Sequence, residues 1–198
     1  LQKSGFSDVV CRELHIDAPK PELADWEQMV ERIRNRSREV HIGLVGKYVK
    51  LHDAYLSVAE AMNHAGYELN TFVKIHWIDS ENIRSENVND TLEGLDGIIV
   101  PGGFGNRGIE GMILSANYAR ENQIPYFGIC LGMQIAVIEF ARNVLGLKDA
   151  HSGEFDEQCE YKVIDFMPGQ SERKDKGGTL RLGSYPCSIK KGKKMEQC

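Results

Sequence analysis

Apolar residues recur along this chain in two rhythms, one near 3.6 residues and one of two. From Leu23 onward Trp26, Met29, Val30 and Ile33 return at helical spacing with Glu27, Glu31, Arg32 and Arg34 between them, which predicts an amphipathic helix whose stripe suits core or interdomain packing. Residues 40–45 form a short apolar run that reads as a buried strand ended by Gly46. Asp53 is then placed to cap a helix running to about His64, with Gly66 as its stop. Thr71, Val73, Ile75 and Trp77 alternate with other residues and predict a second strand. A short helix over residues 91–95 precedes a third strand over 97–100, which halts at Pro101. A helix over 110–121, a strand over 124–129 and a helix over about 133–145 follow. Beyond Leu147 the alternation weakens, and residues 161–166 and 179–182 read as strands separated by a charged loop at 170–178.

Strands separated by helices imply an α/β fold: a doubly wound, mainly parallel sheet with helices on both faces and a flavodoxin-like core. In such sheets ligands gather at the carboxyl ends of the strands. Residues 1–22 carry Pro19 and Pro21 and little periodicity, so they are expected to be a linker or extended arm, with residues 23–198 as the domain. The chain begins at Leu1 rather than Met, which suggests a piece of something longer.

Composition narrows the function. The length of 198 residues supports one substantial core, and the formal charge of -5 argues against nucleic acid as a partner. The basic run Lys190, Lys191, Lys193 and Lys194 reads as a solvated segment. Cys11, Cys130, Cys159, Cys187 and Cys198 form no C-x-x-C pair and have no matching His spacing, so neither a metal site nor a disulfide framework is expected, and a reducing, cytoplasmic setting fits. No apolar run approaches the roughly 20 residues of a membrane helix, so no membrane partner is expected.

One cysteine stands apart. Gly128-Ile129-Cys130-Leu131-Gly132 lies between an apolar strand and a helix, the setting of a nucleophile elbow, in which a cramped turn lifts the middle side chain clear of the sheet. The residues two positions either side must then lack side chains, as Gly128 and Gly132 do. The helix that follows would aim its first free N–H groups at residue 130, a setting suited to negative charge. Acyl transfer needs donors for the oxygen that becomes negative in the tetrahedral intermediate. The elbow supplies one from the N–H of Leu131, and Gly103 in Pro101-Gly102-Gly103-Phe104-Gly105 is the candidate second. Gly103, Gly105 and Gly108 also satisfy G-x-G-x-x-G, but a dinucleotide fingerprint belongs to a first strand with an acidic residue ending the next, and here the next strand delivers Cys130. Residues 43–47 are too short for a phosphate-binding P-loop.

With these residues in view, Gly128 to Gln134 together with Pro101 to Gly105 resemble a class I glutamine amidotransferase. More narrowly, Gly46-Lys47-Tyr48-Val49, Asp53 to Val58, Gly111-Met112-Ile113 and Gly177 to Gly183 resemble the glutaminase domain of the CTP synthase family. The resemblance covers nearly the whole chain. It implies that Cys130 attacks the side-chain amide of L-glutamine, releases ammonia and leaves a glutamyl thioester for water to hydrolyse. It further implies that Gly103 and Leu131 are the oxyanion donors and that Gln134 and Glu154 hold the glutamine, Glu154 by pairing with its α-ammonium group.

For the complete family protein the resemblance implies an N-terminal synthetase domain that uses the ammonia to aminate UTP to CTP. ATP, Mg and allosteric GTP are implied there, with no cofactor in this domain, and the assembly is a homotetramer. The family's His-Pro-Glu motif, which supplies the base, has no counterpart in the sequence, nor does the Arg-His-Arg-His-Arg-Tyr-Glu segment before it. None of His15, His41, His52, His64, His76 and His151 stands in a matching context, although His151 is near Glu154 in sequence. The chain by itself is therefore expected to be nearly inactive. A non-catalytic module that binds glutamine or a partner is the alternative.

Overall fold

In the computed structural model the described residues are 2–166, 186 and 188–196. The expected strand at 179–182, the charged loop at 170–178 and the motif at 177–183 lie outside them. Twelve helices and strands follow in chain order: α1 (Phe6–Glu13), α2 (Ala24–Arg34), β1 (Arg38–Gly46), α3 (Leu56–Glu68), β2 (Thr71–Asp79), α4 (Val88–Leu92), β3 (Gly97–Val100), α5 (Ile109–Glu121), β4 (Tyr126–Gly128), α6 (Leu131–Asn143), β5 (Ala150–Ser152) and β6 (Tyr161–Ile164). The main sheet has the order β2-β1-β3-β4 and is parallel throughout. β1 pairs with β2 from Arg38↔Thr71 to Gly46↔Asp79 and with β3 from Ile42↔Gly97 to Leu44↔Ile99. The chain thus turns one way after β1 and the other way after β3, opening a crevice at the carboxyl ends of these two strands. β5 and β6 form a separate parallel pair beside α6.

The period-two pattern assigns each face of the sheet its core. Val45, Ile98 and Val100 point into one cluster with Met112, Ile113, Ile135 and Ile138 of α5 and α6. Their neighbours Leu44 and Ile99 point the other way, to Met62 and Val58 of α3, with Val49 and Tyr55. Full burial of each such side chain is worth about 1.5–3 kcal/mol, so the two clusters are the main reason the layers adhere.

Several expected boundaries move. α1 is helical where an extended arm is expected, but none of its residues is buried. Asp53 lies in a 3-10 turn (His52–Tyr55) and caps nothing through its side chain. Gly66 does not stop α3: the helix passes through it because only a glycine clears β2 there, a β-carbon falling 2.6 Å from the Thr71 carbonyl oxygen. The short helix comes earlier than expected, at Val88–Leu92, and α6 begins at Leu131 rather than near Met133. β4 pairs over only three residues, and no residue of α2 is buried.

α5 and α6 are locked by a charge. Glu139 is buried and accepts hydrogen bonds from Arg120 Nε (3.0 Å), Asn117 Nδ2 (3.1 Å) and Asn143 Nδ2 (3.1 Å). Burial pushes its carboxyl upward in pKa, but Arg120, Asn117 and Asn143 outweigh it and hold the group below the ordinary glutamate value. A carboxyl with a lowered folded-state pKa stabilises the fold above its unfolded pKa and ceases to do so as pH falls through the folded value. Glu139→Gln is therefore expected to lose about 1–2 kcal/mol in urea unfolding at about pH 7, since the half-buried Arg120 then keeps only the more exposed Glu121 as counter-charge. The gap between the two proteins should shrink toward about pH 3.

Candidate functional site

Cys130 stands between β4 and α6 with φ 53° and ψ −104°, a conformation L-residues rarely adopt and one that costs about 1–3 kcal/mol. The surrounding backbone holds it there. The Ile129 N–H donates to the Val100 carbonyl (2.9 Å), the Gly132 N–H to the Ile129 carbonyl (2.9 Å) and the Gln134 N–H to the Cys130 carbonyl (3.2 Å). The Tyr126 hydroxyl donates to the Gly132 carbonyl at 2.8 Å. Both glycines expected for an elbow are sterically required: a β-carbon on Gly128 would overlap the Gly132 backbone, and one on Gly132 would overlap the Val100 carbonyl. The thiol of Cys130 is free and exposed.

The loop after β3 borders this sulfur. A β-carbon on Gly102 would lie 3.5 Å from Cys130 Cβ and 4.0 Å from its Sγ, and one on Gly103 would lie 3.5 Å from Leu131 Cδ2. Gly103 and Leu131, the two candidate donors, are thus neighbours. Leu131 opens α6, so its N–H has no intrahelical acceptor. Among the described residues neither its N–H nor that of Gly103 is spent on a protein acceptor. The remaining glycines of the G-x-G-x-x-G pattern make turns instead. Gly105 and Gly108 have φ of 76° and 70°, and Gly108 caps α5 against the Ser80 side chain.

Gln134 is half-buried in the first turn of α6, one turn beyond Cys130 and on the same side. Glu154 follows β5, its N–H donating to Ser152 Oγ at 3.2 Å. Among the described residues no hydrogen bond or ion pair engages its carboxylate, which acts electrostatically on the buried Lys47. This lysine is the residue that reading the motifs left without a role. Its Nζ donates to the carbonyls of Phe104 (3.1 Å) and Gly105 in the Gly103 loop. The hints in the sequence are its position directly after a buried strand and its place in Gly46-Lys47-Tyr48-Val49.

The histidines lie elsewhere. His41 and His76 pair across β1 and β2 (2.8 Å), and His52 stacks on Trp77. His151 meets Phe155 edge-on, its Nε2 3.9 Å from Glu110, and burial and Arg142 lower its pKa. Among the described residues no imidazole or carboxylate is hydrogen-bonded to the Cys130 sulfur, and no three His, Cys, Asp or Glu side chains are grouped to hold a metal ion. No helix there is long and apolar enough to cross a membrane.

An exposed thiol at a strand-to-helix elbow stands beside the glycine loop at the carboxyl end of a parallel sheet, and comparison with known proteins gives the family of the chain. Residues 50–197 match the family model of glutamine amidotransferase class-I, and the chain belongs to that family. It is similar to the CTP synthase of Listeria innocua, 55% identical over 196 residues that make up 99% of this chain and 37% of that protein. The CTP synthase of Bacillus subtilis is 52% identical over 194 residues, 98% of this chain and 36% of that protein. The chain therefore spans just over a third of the length of these relatives. Among solved structures, the glutaminase domain of Trypanosoma brucei CTPS with bound acivicin matches with a TM-score of 0.63 and 43% identity, over 68% of this chain and 52% of that one.

The exposure of the cysteines gives a direct check. Cys159 is buried and its thiol is pushed up in pKa by burial and by Asp156 and Asp149. Limiting iodoacetamide should therefore label Cys130 at least roughly tenfold faster than Cys159, as read by peptide mapping.

Proposed function

We propose that Cys130 is the nucleophile of a glutamine-hydrolysing site and that this chain is the amidotransferase part of a CTP synthase. The observation that carries this reading is the exposed thiol at a strained elbow, next to two unspent backbone N–H groups. Cys130 Sγ bonds to the side-chain amide carbon of glutamine, and the charge on the oxygen is taken up by the N–H groups of Gly103 and Leu131. The C–N bond breaks with a proton delivered to nitrogen, ammonia leaves, and water hydrolyses the thioester to glutamate. Gln134 and Glu154 hold the amino-acid end of the substrate, Glu154 as counter-charge to the α-ammonium.

Ammonia then serves an N-terminal synthetase domain of the complete protein, which uses ATP with Mg to aminate UTP to CTP under GTP control, in a homotetramer. The proton steps need a base, and the described residues bring none to the sulfur. Turnover by these residues alone is thus expected to be lower by several orders of magnitude, as when a triad loses its base. That same observation favours, as a second reading for the chain in isolation, a module that binds glutamine without turning it over.

The test is made in the complete protein. Cys130→Ala is expected to abolish glutamine-dependent ammonia release while leaving CTP formation from added ammonia intact; glutamine hydrolysis surviving in that variant would overturn the reading. Glu154→Gln is expected to raise KM for glutamine about tenfold or more with a smaller change in kcat, since removing the counter-charge weakens ground-state and transition-state binding alike. The trypanosomal domain holds acivicin, and the same compound is expected to protect Cys130 from iodoacetamide here.

A further inference from the structure

Lys47 is only 4% exposed, an uncommon position for an ammonium group, and it lies in the crevice where the connections after β1 and β3 part. A buried cation is costly unless its hydrogen bonds are made. Here they are made to the carbonyls of Phe104 and Gly105, two and three residues beyond Gly102 in the loop that borders the thiol. The lysine stem runs under the same loop, with Cδ 3.5 Å and Cε 3.7 Å from where a β-carbon on Gly103 would sit.

Its own backbone is pinned in turn. The N–H groups of Lys47 (3.2 Å) and Tyr48 (3.3 Å) both donate to the buried Tyr55 hydroxyl. The charged groups that face the ammonium are Glu154 and Glu81, which favour its charge, and Arg107, which opposes it. Burial outweighs them and lowers its pKa from the ordinary lysine value. The Phe155 ring lies 5.9 Å from Nζ on the side of the β5–β6 pair.

We propose that Lys47 is a positioning residue for glutamine hydrolysis, tying the Phe104 and Gly105 carbonyls to the end of β1 so that the Gly103 N–H stays aimed at the oxygen forming beside Cys130. The inference rests on the Cys130 reading. A loop with glycine at three of its five positions, Pro101 to Gly105, has many conformations to lose, and a two-point clamp on successive carbonyls removes most of them before substrate arrives.

The experiment uses Lys47→Met and Lys47→Arg in the complete protein, with folding checked by thermal melting. Three readouts are taken: kcat and KM for glutamine, the rate of iodoacetamide labelling at Cys130, and amide hydrogen exchange across residues 102–106. Iodoacetamide loses iodide at a saturated carbon and requires no oxyanion donor, so it reports the thiol alone. For Lys47→Met, kcat is expected to fall roughly 10- to 100-fold, the effect of displacing one donor, with KM and the labelling rate changed by less than about twofold. Exchange across 102–106 is expected to quicken. Lys47→Arg, which keeps a donor, should recover part of kcat and slow the exchange again.

An unchanged kcat in Lys47→Met, or a rise in KM alone, overturns the proposal while the Cys130 reading stands. Loss of iodoacetamide labelling in step with kcat also overturns it, because the lysine would then be acting on the thiol itself. If Lys47→Met does not fold, Lys47→Arg decides: a lower kcat at unchanged KM with faster loop exchange supports the clamp, and wild-type values of both overturn it. Hydrolysis that survives Cys130→Ala identifies instead a failure of the underlying reading.

Discussion

The contact on which the rest of the structure depends is the one between the end of β3 and the start of α6. The Val100 carbonyl accepts from the Ile129 N–H, and the backbone of Gly132 packs so closely on it that no side chain fits between. Because α6 is drawn down onto the sheet at this point, the chain must leave β4 through a residue with positive φ, and that residue is Cys130. The same approach brings Gly102 to the sulfur and Gly103 to Leu131. Strain at one residue is thus sustained by a helix–sheet contact that buries Leu131, Ile135 and Ile138 behind it.

The carboxyl edge of the sheet gathers the remaining chemistry by topology. β1 delivers Lys47, β3 delivers the glycine loop, β4 delivers Cys130, and the β5–β6 pair brings Glu154 to within electrostatic reach of Lys47. These elements are separated by as many as 107 positions between Lys47 and Glu154, counted from their residue numbers. The parallel order β2-β1-β3-β4 places the ends of β1, β3 and β4 together, and the separate β5–β6 pair adds Glu154. The buried Glu139 network ties α6 to α5 through Asn117 and Arg120.

The apolar surface is divided unevenly. The face toward α5 and α6 is closed, whereas Phe127 of β4 is 63% exposed, and Met133, Val137, Phe140 and Val144 form an exposed stripe along α6. Trp26 on α2 is also exposed, at 65%. The helical spacing from Leu23 was a sound guide to a helix but not to what it packs against, because periodicity records an apolar face and not the presence of a neighbour.

Much of this was legible in order along the chain. Alternation at Thr71 to Trp77, the apolar run before Gly46 and the glycines flanking Cys130 each carry a local physical requirement, and each produced the expected element. By itself the sequence determined the α/β layering, the elbow and the glycine loop, since those follow from period, sterics and turn chemistry within a few residues. What only the tertiary structure decided was everything that needs two distant segments at once. Gly66 continues a helix because β2 lies against it; Lys47 becomes a clamp because the β3 loop crosses its ammonium; and four of the histidines prove to be spent, His52 on Trp77, His151 on Phe155, and His41 and His76 on one another. Those outcomes depend on distances across the sheet, which no local pattern of residues encodes.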